Sequence, residues 1–343
     1  MKIENSNHFE LSFVLAGRND NYGGNFKIRL ELCIQRLYRQ LTFFNVQSEL
    51  IFVNYNPLPV PAIEDFIKWP ISNDIVQVRI IHVPNQQHIR FIEGNNIDEV
   101  PMIEYLAKNI GIRRARGKFI ACINPDIIFP DEFICGLKSL KSHFYYRANR
   151  LDFLQIQEDL DEFQLFKFAK QNTIAIWMKG MVFKFSPRST SNWMFVKFKL
   201  LRNLFVLKYE FIRFFNFLWS HPLHFKAENK FHCNVSGDFI CMTSGDFYKL
   251  RGFYEAAPIA LHIDALFVVQ AAAFGLTEKI VNYPIYHQDH ERRYTSDRRN
   301  EIEDKAYEFF QKESEQMVLK SQSKLYNNDS WGLNGVQLYE QII

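Results

Sequence analysis

The triplet Asn124-Pro125-Asp126 stands directly after the apolar run Lys118–Ile123, KFIACI. A carboxylate at a strand end is placed to hold a divalent cation, and magnesium and manganese take oxygen ligands that they share with substrate phosphates. Taken alone, such an Asp is more often a turn residue or a helix cap. A second cluster, Tyr286-His287-Gln288-Asp289-His290-Glu291, again follows a strand-like run. It offers an imidazole, with His287 first, as companion to Asp126; two surface histidines are the plainer reading. The loop Arg18-Asn19-Asp20 with Gly23-Gly24 offers a guanidinium for phosphate, a carboxylate for ribose or base, and glycines for close backbone approach. By itself a Gly-Gly pair is usually just a turn.

Two further sets carry charge. Asn109 and Arg113 share a helix face at i, i+4, with Arg114 nearby and Arg116 three residues beyond Arg113. They read as surface arginines or, more sharply, as a pyrophosphate clamp. Gly237-Asp238-Phe239 and His262-Ile263-Asp264 bracket Arg251-Gly252-Phe253-Tyr254-Glu255. Asp264 opens an apolar helix, IDALFVVQAAAFG, where a carboxylate complements the macrodipole and needs no other role. Facing a crevice, the same carboxylate is able to deprotonate a hydroxyl.

The elements that must position these groups alternate. Strands are expected at Leu11–Ala16, Leu50–Val53, Val76–Val83 and Lys118–Ile123. Helices are expected at Phe26–Leu41, with Ile28, Leu32, Ile34 and Leu37 near one face, and at Pro101–Arg116. Asp131 reads as the cap of a further helix, DEFICGLKSL. Such alternation implies an α/β fold, a mostly parallel sheet with helices on both faces. Ligands in these sheets bind beyond the carboxyl ends of the strands, so the polar clusters after the first, second and fourth strands should converge on one crevice. Further on, Ile259–Phe274 reads as a helix, Lys279–Tyr286 as a strand, and Thr295–Gln322 as a charged surface helix with a solvated face.

Between about Phe163 and Phe225, Phe and Trp interleave with Lys and Arg. From Leu200 to Leu218 apolar residues recur at helical spacing, with Lys199, Arg202 and Arg213 largely opposite. A helical insertion docked on the domain and an amphipathic helix lying in an anionic membrane surface both fit this pattern.

Composition narrows the rest. The chain has 343 residues and a net charge of +3, which removes the strongest reason to expect a nucleic-acid binder. Five cysteines without a CxxC pair read as reduced, mostly buried thiols of a cytoplasmic protein. The start MKIENSNHFE is not that of a signal peptide, and no run of about 18 apolar residues suggests a spanning helix.

Taken in order, VLAGRNDNYGGN, ELIFVNYNPLP, AKNIGIRRARGKFIACINPDIIFPDEF, HCNVSGDFICMTSGDFYKLRGFYE, HIDALFVVQAAAFG and YPIYHQDHE resemble the family-2-like glycosyltransferases of the GT-A fold, notably bacterial transferases of surface-polysaccharide assembly. The resemblance spans about Leu11 to Glu291 and leaves the aromatic insertion largely uncovered. It implies that Arg18, Asp20, Asn54, Asn109, Arg113 and Asn124 surround a nucleotide-sugar donor. Asp126 matches the last acid of the DxD motif and would bind Mn2+ or Mg2+ with His287, whereas Asn124 departs from the motif's first acid. The family's GGFxE turn falls on Arg251–Glu255, placing Asp238 and Glu255 near the acceptor or sugar. Its catalytic acids fall on Ile263, Asp264 and Leu266, leaving Asp264 alone as the general base of an inverting transfer.

The implied organisation is a nucleotide-sugar-binding half at 1–150, the aromatic and basic helical insertion at 151–230, an acceptor and catalytic half at 231–294, and a helical tail at 295–343. The implied activity is sugar transfer from a nucleotide-diphosphate donor to a glycan or lipid-linked acceptor, in the cytoplasm or on the inner face of its membrane. Two rivals stand beside it. One is a scaffold or sugar-binding member without turnover, suggested by Asn124, Ile263 and Leu266. The other is a sugar-nucleotide pyrophosphorylase, against which the first loop lacks the long Gly-rich phosphate cradle.

Overall fold

The computed structural model describes residues 9–95, 100–156, 160, 162–184, 226–257, 261–290 and 296–343. The N-terminal part alternates as β1 (Leu11–Gly17), α1 (Phe26–Phe43), β2 (Ser48–Tyr55), the short α2 (Ile63–Phe66), β3 (Val76–Val83), α3 (Asn85–Asn95), α4 (Glu104–Arg114) and β4 (Phe119–Ile123). Next come β5 (Ile127–Ile128), α5 (Asp131–Leu137), β6 (Phe144–Arg147), β7 (Arg150–Phe153), α6 (Glu162–Gln171), β8 (Thr173–Met178) and β9 (Met181–Lys184). After residue 225 follow α7 (Ala227–Lys230), β10 (Phe239–Thr243), α8 (Ser244–Leu250), α9 (Ile263–Ala273), β11 (Thr277–Ile280), β12 (Ile285–Gln288), α10 (Ser296–Lys320) and β13 (Tyr339–Ile342).

The large sheet has the order β11-β6-β10-β4-β1-β2-β3-β13. Its centre, β4-β1-β2-β3, is parallel, while β10 and β13 run antiparallel to their neighbours. Strand order reverses direction of growth between β1 and β4, and that switch point opens a crevice beyond their carboxyl ends. Two-residue periodicity along β1 builds both layers of the core. Val14 and Ala16 pack with Ala107 and Ile110 of α4, and Phe13 and Leu15 pack with Phe26, Leu30 and Leu37 of α1. Helix α4 sits so close to the sheet that a Cβ at Gly111 would lie 2.5 Å from Cγ1 of Val14. A side chain there would overpack the core at a cost of about 1–3 kcal/mol. The α/β fold with helices on both faces is therefore as expected.

Several local expectations need correction. The buried face of α1 carries Arg29, Arg36 and Gln40 beside Leu30, Ile34 and Leu37, whereas Ile28 is exposed. Those polar residues are inside because they bind Asp126, Asp131 and the Phe129 carbonyl. Asp131 is consequently not a cap: Pro130 holds that position, and the Asp131 carboxylate accepts from Gln40 and Arg36. The run Lys279–Tyr286 is broken between β11 of the large sheet and β12 of another.

Of that other sheet, β5-β12-β7-β8-β9, the strands β7, β8 and β9 fall in the first part of the region expected to be a helical insertion. Its one face is apolar, with Ile128, Leu151, Phe153, Ile176 and Tyr286 packed on α6 through Leu165 and Ala169. The Trp193–Trp219 segment lies outside the described residues. The tail also departs from expectation. Phe310 and Met317 of α10 are buried in the main core, and beyond Gln322 the chain has only a 3-10 turn at Trp331–Leu333 before β13, which pairs with β3. Cys33, Cys122, Cys233 and Cys241 are buried and Cys135 is exposed, all five as free thiols. Among the described residues no helix is long and apolar enough to cross a membrane.

Candidate active site

The carboxyl ends of β1 and β4 bring the first loop and the Asn124–Asp126 turn together. Asp126 is 4% exposed, yet three cationic or imidazole groups converge on its Oδ2. Arg29 Nη1 donates to it at 3.0 Å, His290 Nε2 lies at 3.3 Å and His287 Nε2 at 3.6 Å. Burial alone would raise this carboxyl, but His287, His290 and Arg29 outweigh it and hold the group well below the ordinary carboxylate range. Oδ1 of Asp126 is buried and makes no hydrogen bond. A buried acceptor left without a donor costs about 1–3 kcal/mol unless something occupies it.

The ligating atoms of Asp126, His287 and His290 lie within 4.8 Å of one another. One carboxylate with two imidazoles suits manganese and its heavier neighbours better than magnesium, which prefers all-oxygen shells. The orphaned Oδ1 and this donor set together fit a divalent cation. His290, outside the expected set, joins Asp126 and His287 here, and its ring also meets Tyr22 of the first loop edge-on. Arg29 fixes that loop by donating to the carbonyls of Gly24, at 3.3 Å, and Tyr22.

From Asn124 a polar chain leads to the other half of the crevice. Asn124 Nδ2 donates to Asp238 Oδ1 at 2.7 Å, and Asn124 Oδ1 accepts from Lys108 Nζ at 2.7 Å. Lys108, 1% exposed, also donates to Glu104 at 2.7 Å and to the Gly237 carbonyl at 2.9 Å. Burial opposes its ammonium, but Glu104 more than compensates and the pKa ends above the usual lysine value. The Gly237 N–H then donates to Asp264 Oδ2 at 2.5 Å. Asp264, half-buried at the start of α9, is thus connected to Asn124, two residues before Asp126, through Gly237 and Lys108. Arg147 supports this turn by donating to the carbonyls of His232, Asn234, Ser236 and Phe239.

Of the nucleotide residues expected, Arg18, Asp20 and Asn54 stand at the carboxyl ends of β1 and β2. Arg18 faces Asp20 at 3.7 Å, and the buried Oδ1 of Asn54 makes no hydrogen bond. Asn19, which sequence reasoning left aside, clamps the two loops by binding Leu58 N–H and the carbonyls of Leu58 and Pro61.

Three expected residues are engaged elsewhere. Asn109 is wholly buried and ties down the Arg251–Glu255 turn, donating to Phe253 O at 2.7 Å and Glu255 Oε1 at 2.8 Å and accepting from Phe253 N–H at 2.9 Å. A Cβ at Gly252, whose φ is +65°, would lie 2.2 Å from Asn109 Oδ1, so only glycine permits this contact. Glu255 also accepts from Gly332 N–H at 2.6 Å, which turns its carboxylate toward the C-terminal segment. Arg113 stacks over Trp331 at 4.6 Å and Tyr248 at 5.2 Å. Asn109 and Arg113 lie at and beyond the middle of α4, which runs back from the carboxyl ends of the strands toward their amino ends.

No protein-family model matches this chain, and no curated protein sequence is similar to it. Solved structures to which it is similar include S. aureus TarS 1–349, at 10% identity and TM-score 0.38 over 82% of this chain and 60% of that one. The mannosyltransferase PcManGT from Pyrobaculum calidifontis, in complex with GDP-Man and Mn2+, is similar at 9% identity and TM-score 0.39 over 92% of this chain and 75% of that one. GalNAc-T7 with UDP, GalNAc and Mn2+ is similar at 11% identity and TM-score 0.47 over 95% of this chain and 53% of that one. The chain thus spans 60% of the TarS structure and about half of the GalNAc-T7 structure.

Proposed function

We propose that this protein is a metal-assisted glycosyltransferase that moves a sugar from a nucleotide-diphosphate donor to a hydroxyl of a glycan or lipid-linked acceptor. The observation that carries the reading is the Asp126, His287 and His290 cluster, with its orphaned carboxylate oxygen, at the sheet's switch point. A divalent cation held there supplies neutralisation of the charge that develops on a departing diphosphate. Arg18, Asp20 and Asn54 would bind the nucleotide, with the loop held closed on it by Arg29 and Asn19. Asp264 would take the acceptor's proton, which makes the transfer inverting, and Asp238 would contact the sugar or acceptor. A peripheral site on the inner face of the cytoplasmic membrane belongs to the same reading and rests on the basic, aromatic composition of Trp193–Trp219.

A second reading, a donor-binding protein without turnover, is favoured by one contact. Asp264 Oδ2 already accepts from the Gly237 N–H at 2.5 Å, which leaves only its other oxygen to meet an acceptor hydroxyl. Incubating the purified protein with a panel of nucleotide-diphosphate sugars and manganese separates the two. Nucleoside diphosphate released by the wild type and lost in Asp126→Ala supports the transferase. Manganese-dependent donor binding without any release supports the binding protein, and the absence of both would overturn the metal-assisted reading altogether.

A further inference from the structure

The second sheet has a polar face whose purpose the reaction scheme leaves open. Arg150 and Asp152 are two residues apart on β7 and therefore point the same way. On the flanking strands, His287 of β12 is the register partner of Asp152, and Trp177 of β8 is the partner of Arg150. Four side chains from three strands thus share one surface, opposite the apolar face that packs on α6. Arg150 and Asp152 are 6% and 5% exposed, so two full charges have been removed from water. Such burial is costly unless the charges are closely paired, and these are.

Asp152 is held from three sides. Arg150 Nε lies 2.6 Å from its Oδ1, Arg150 Nη2 donates to Oδ2 at 2.9 Å, and Trp177 Nε1 donates to Oδ2 at 2.7 Å. The guanidinium also lies over the Trp177 ring, 5.3 Å from its centroid. The fixed carboxylate in turn faces His287, whose Nδ1 is 3.3 Å from Asp152 Oδ1. That leaves the opposite ring nitrogen, Nε2, directed at Asp126. Arg150 reaches further, pairing through Nη1 with Asp238, which Asn124 binds on its other oxygen.

We infer that Asp152 and Arg150 are positioning residues. Asp152 presets the His287 ring so that Nε2 is offered to a cation beside Asp126, and Arg150 locks Asp152 while tying it to Asp238. The inference rests on the metal-assisted reading and adds that cation affinity is set from the second sheet, by residues that do not touch the ion. Carboxylates placed behind a ligating imidazole fix its tautomer and orientation, and their loss typically weakens metal affinity roughly 10–100-fold.

The test is manganese binding alone, without donor, followed by electron paramagnetic resonance of the free ion on the whole chain. Asp152→Asn and Arg150→Lys are compared with wild type and with Trp177→Phe, and thermal unfolding without manganese reports the folded fraction of each. We expect Asp152→Asn to weaken binding by roughly 10-fold or more, Arg150→Lys to weaken it less, and Trp177→Phe least. In turnover, the manganese concentration for half-maximal rate should rise while the rate at saturating manganese changes little for Asp152→Asn. Wild-type affinity in the folded fraction of Asp152→Asn, whatever its melting temperature, would refute the positioning role and leave the transferase reading intact. Failure of the wild type itself to bind manganese would overturn both.

Discussion

Glu255 provides the sharpest quantitative test of how the two ends of the chain are joined. Its carboxyl is buried beneath the Arg251–Glu255 turn, and burial pushes its pKa from 4.5 up to about 7, although the Asn109 amide and the Gly332 N–H favour the ionised form. The folded protein therefore keeps a proton that the unfolded chain has already released. Stability from this group is complete below pH 4.5, is lost as pH rises toward 7, and is constant above. At about 1.4 kcal/mol per pH unit, the full loss is about 3 kcal/mol, of which about 2.5 kcal/mol falls between pH 5 and pH 8.

Glu255→Gln keeps an Oε1 that accepts from both Asn109 and Gly332 but carries no charge at any pH. All other titrating groups are common to the two proteins, so the difference between them isolates Glu255. Urea unfolding at pH 5 and pH 8 should show the variant gaining on wild type by about 2.5 kcal/mol across that interval. A stability difference that is the same at both pH values, or a variant that loses ground at pH 8, would show that Glu255 is ionised in the folded protein and that the reasoning from burial is wrong.

Two other perturbations probe the reaction and the far edge of the sheet. Asp264→Asn should leave donor binding intact and lower turnover on the order of a hundredfold, and unchanged turnover removes Asp264 from the chemistry. Glu49 is wholly buried and neutralises Arg79 at 2.7 Å and Arg116 at 3.0 Å, so Glu49→Ala should cost about 3–5 kcal/mol in urea unfolding. Burial would raise the Glu49 carboxyl, but Arg79, Arg116 N–H and Ser12 hold it below its usual value; its stabilisation should therefore fade as pH drops below about 4.5 in wild type and be missing from the variant.

The alternation of strands and helices was legible because hydrophobic periodicity reports local burial, and the crevice followed from topology. Asp126 and His287 were legible as strand-end residues. What periodicity could not convey is which way α4 runs. A helix leading from β3 into β4 must run back along the sheet, so its first turns lie by the crevice and its last turns by the strands' amino ends. That direction puts Glu104 and Lys108 at the site. It puts Arg114 on the carbonyls of Gly332, Leu333 and Val336, and Arg116 on Glu49. The i, i+4 pair Glu104–Lys108 was a usable signal for a helix face that meets the site. Arg150, Asp152 and Trp177 were hidden for another reason: Trp177 lies in the aromatic, basic run that suggested a helical insertion, and the face it shares with Arg150 and Asp152 exists only once β7, β8 and β12 pair. His290 lay in view beside His287, and only the turn after β12 brings it to the same carboxylate.

Asn124, where the resembling family carries an acid, has a physical explanation in the crevice. Its side chain sits between an ammonium and a carboxylate, accepting from Lys108 Nζ at 2.7 Å while donating to Asp238 Oδ1 at 2.7 Å. An amide serves both neighbours at once. An aspartate has only acceptors when ionised, so it would keep Lys108 but face Asp238 oxygen to oxygen. Two carboxylates that close repel each other, and Lys108 and Arg150, both already shared with other partners, offset this only in part. Restoring the acid by Asn124→Asp should therefore not tighten manganese binding. It should destabilise the protein by about 1–3 kcal/mol at pH 8 and by less at pH 5, since protonating either carboxyl relieves the repulsion. Asn124→Asp binding manganese more tightly than wild type, at undiminished stability across that range, would mean that position 124 is a vacant ligand site rather than a bridge between Lys108 and Asp238.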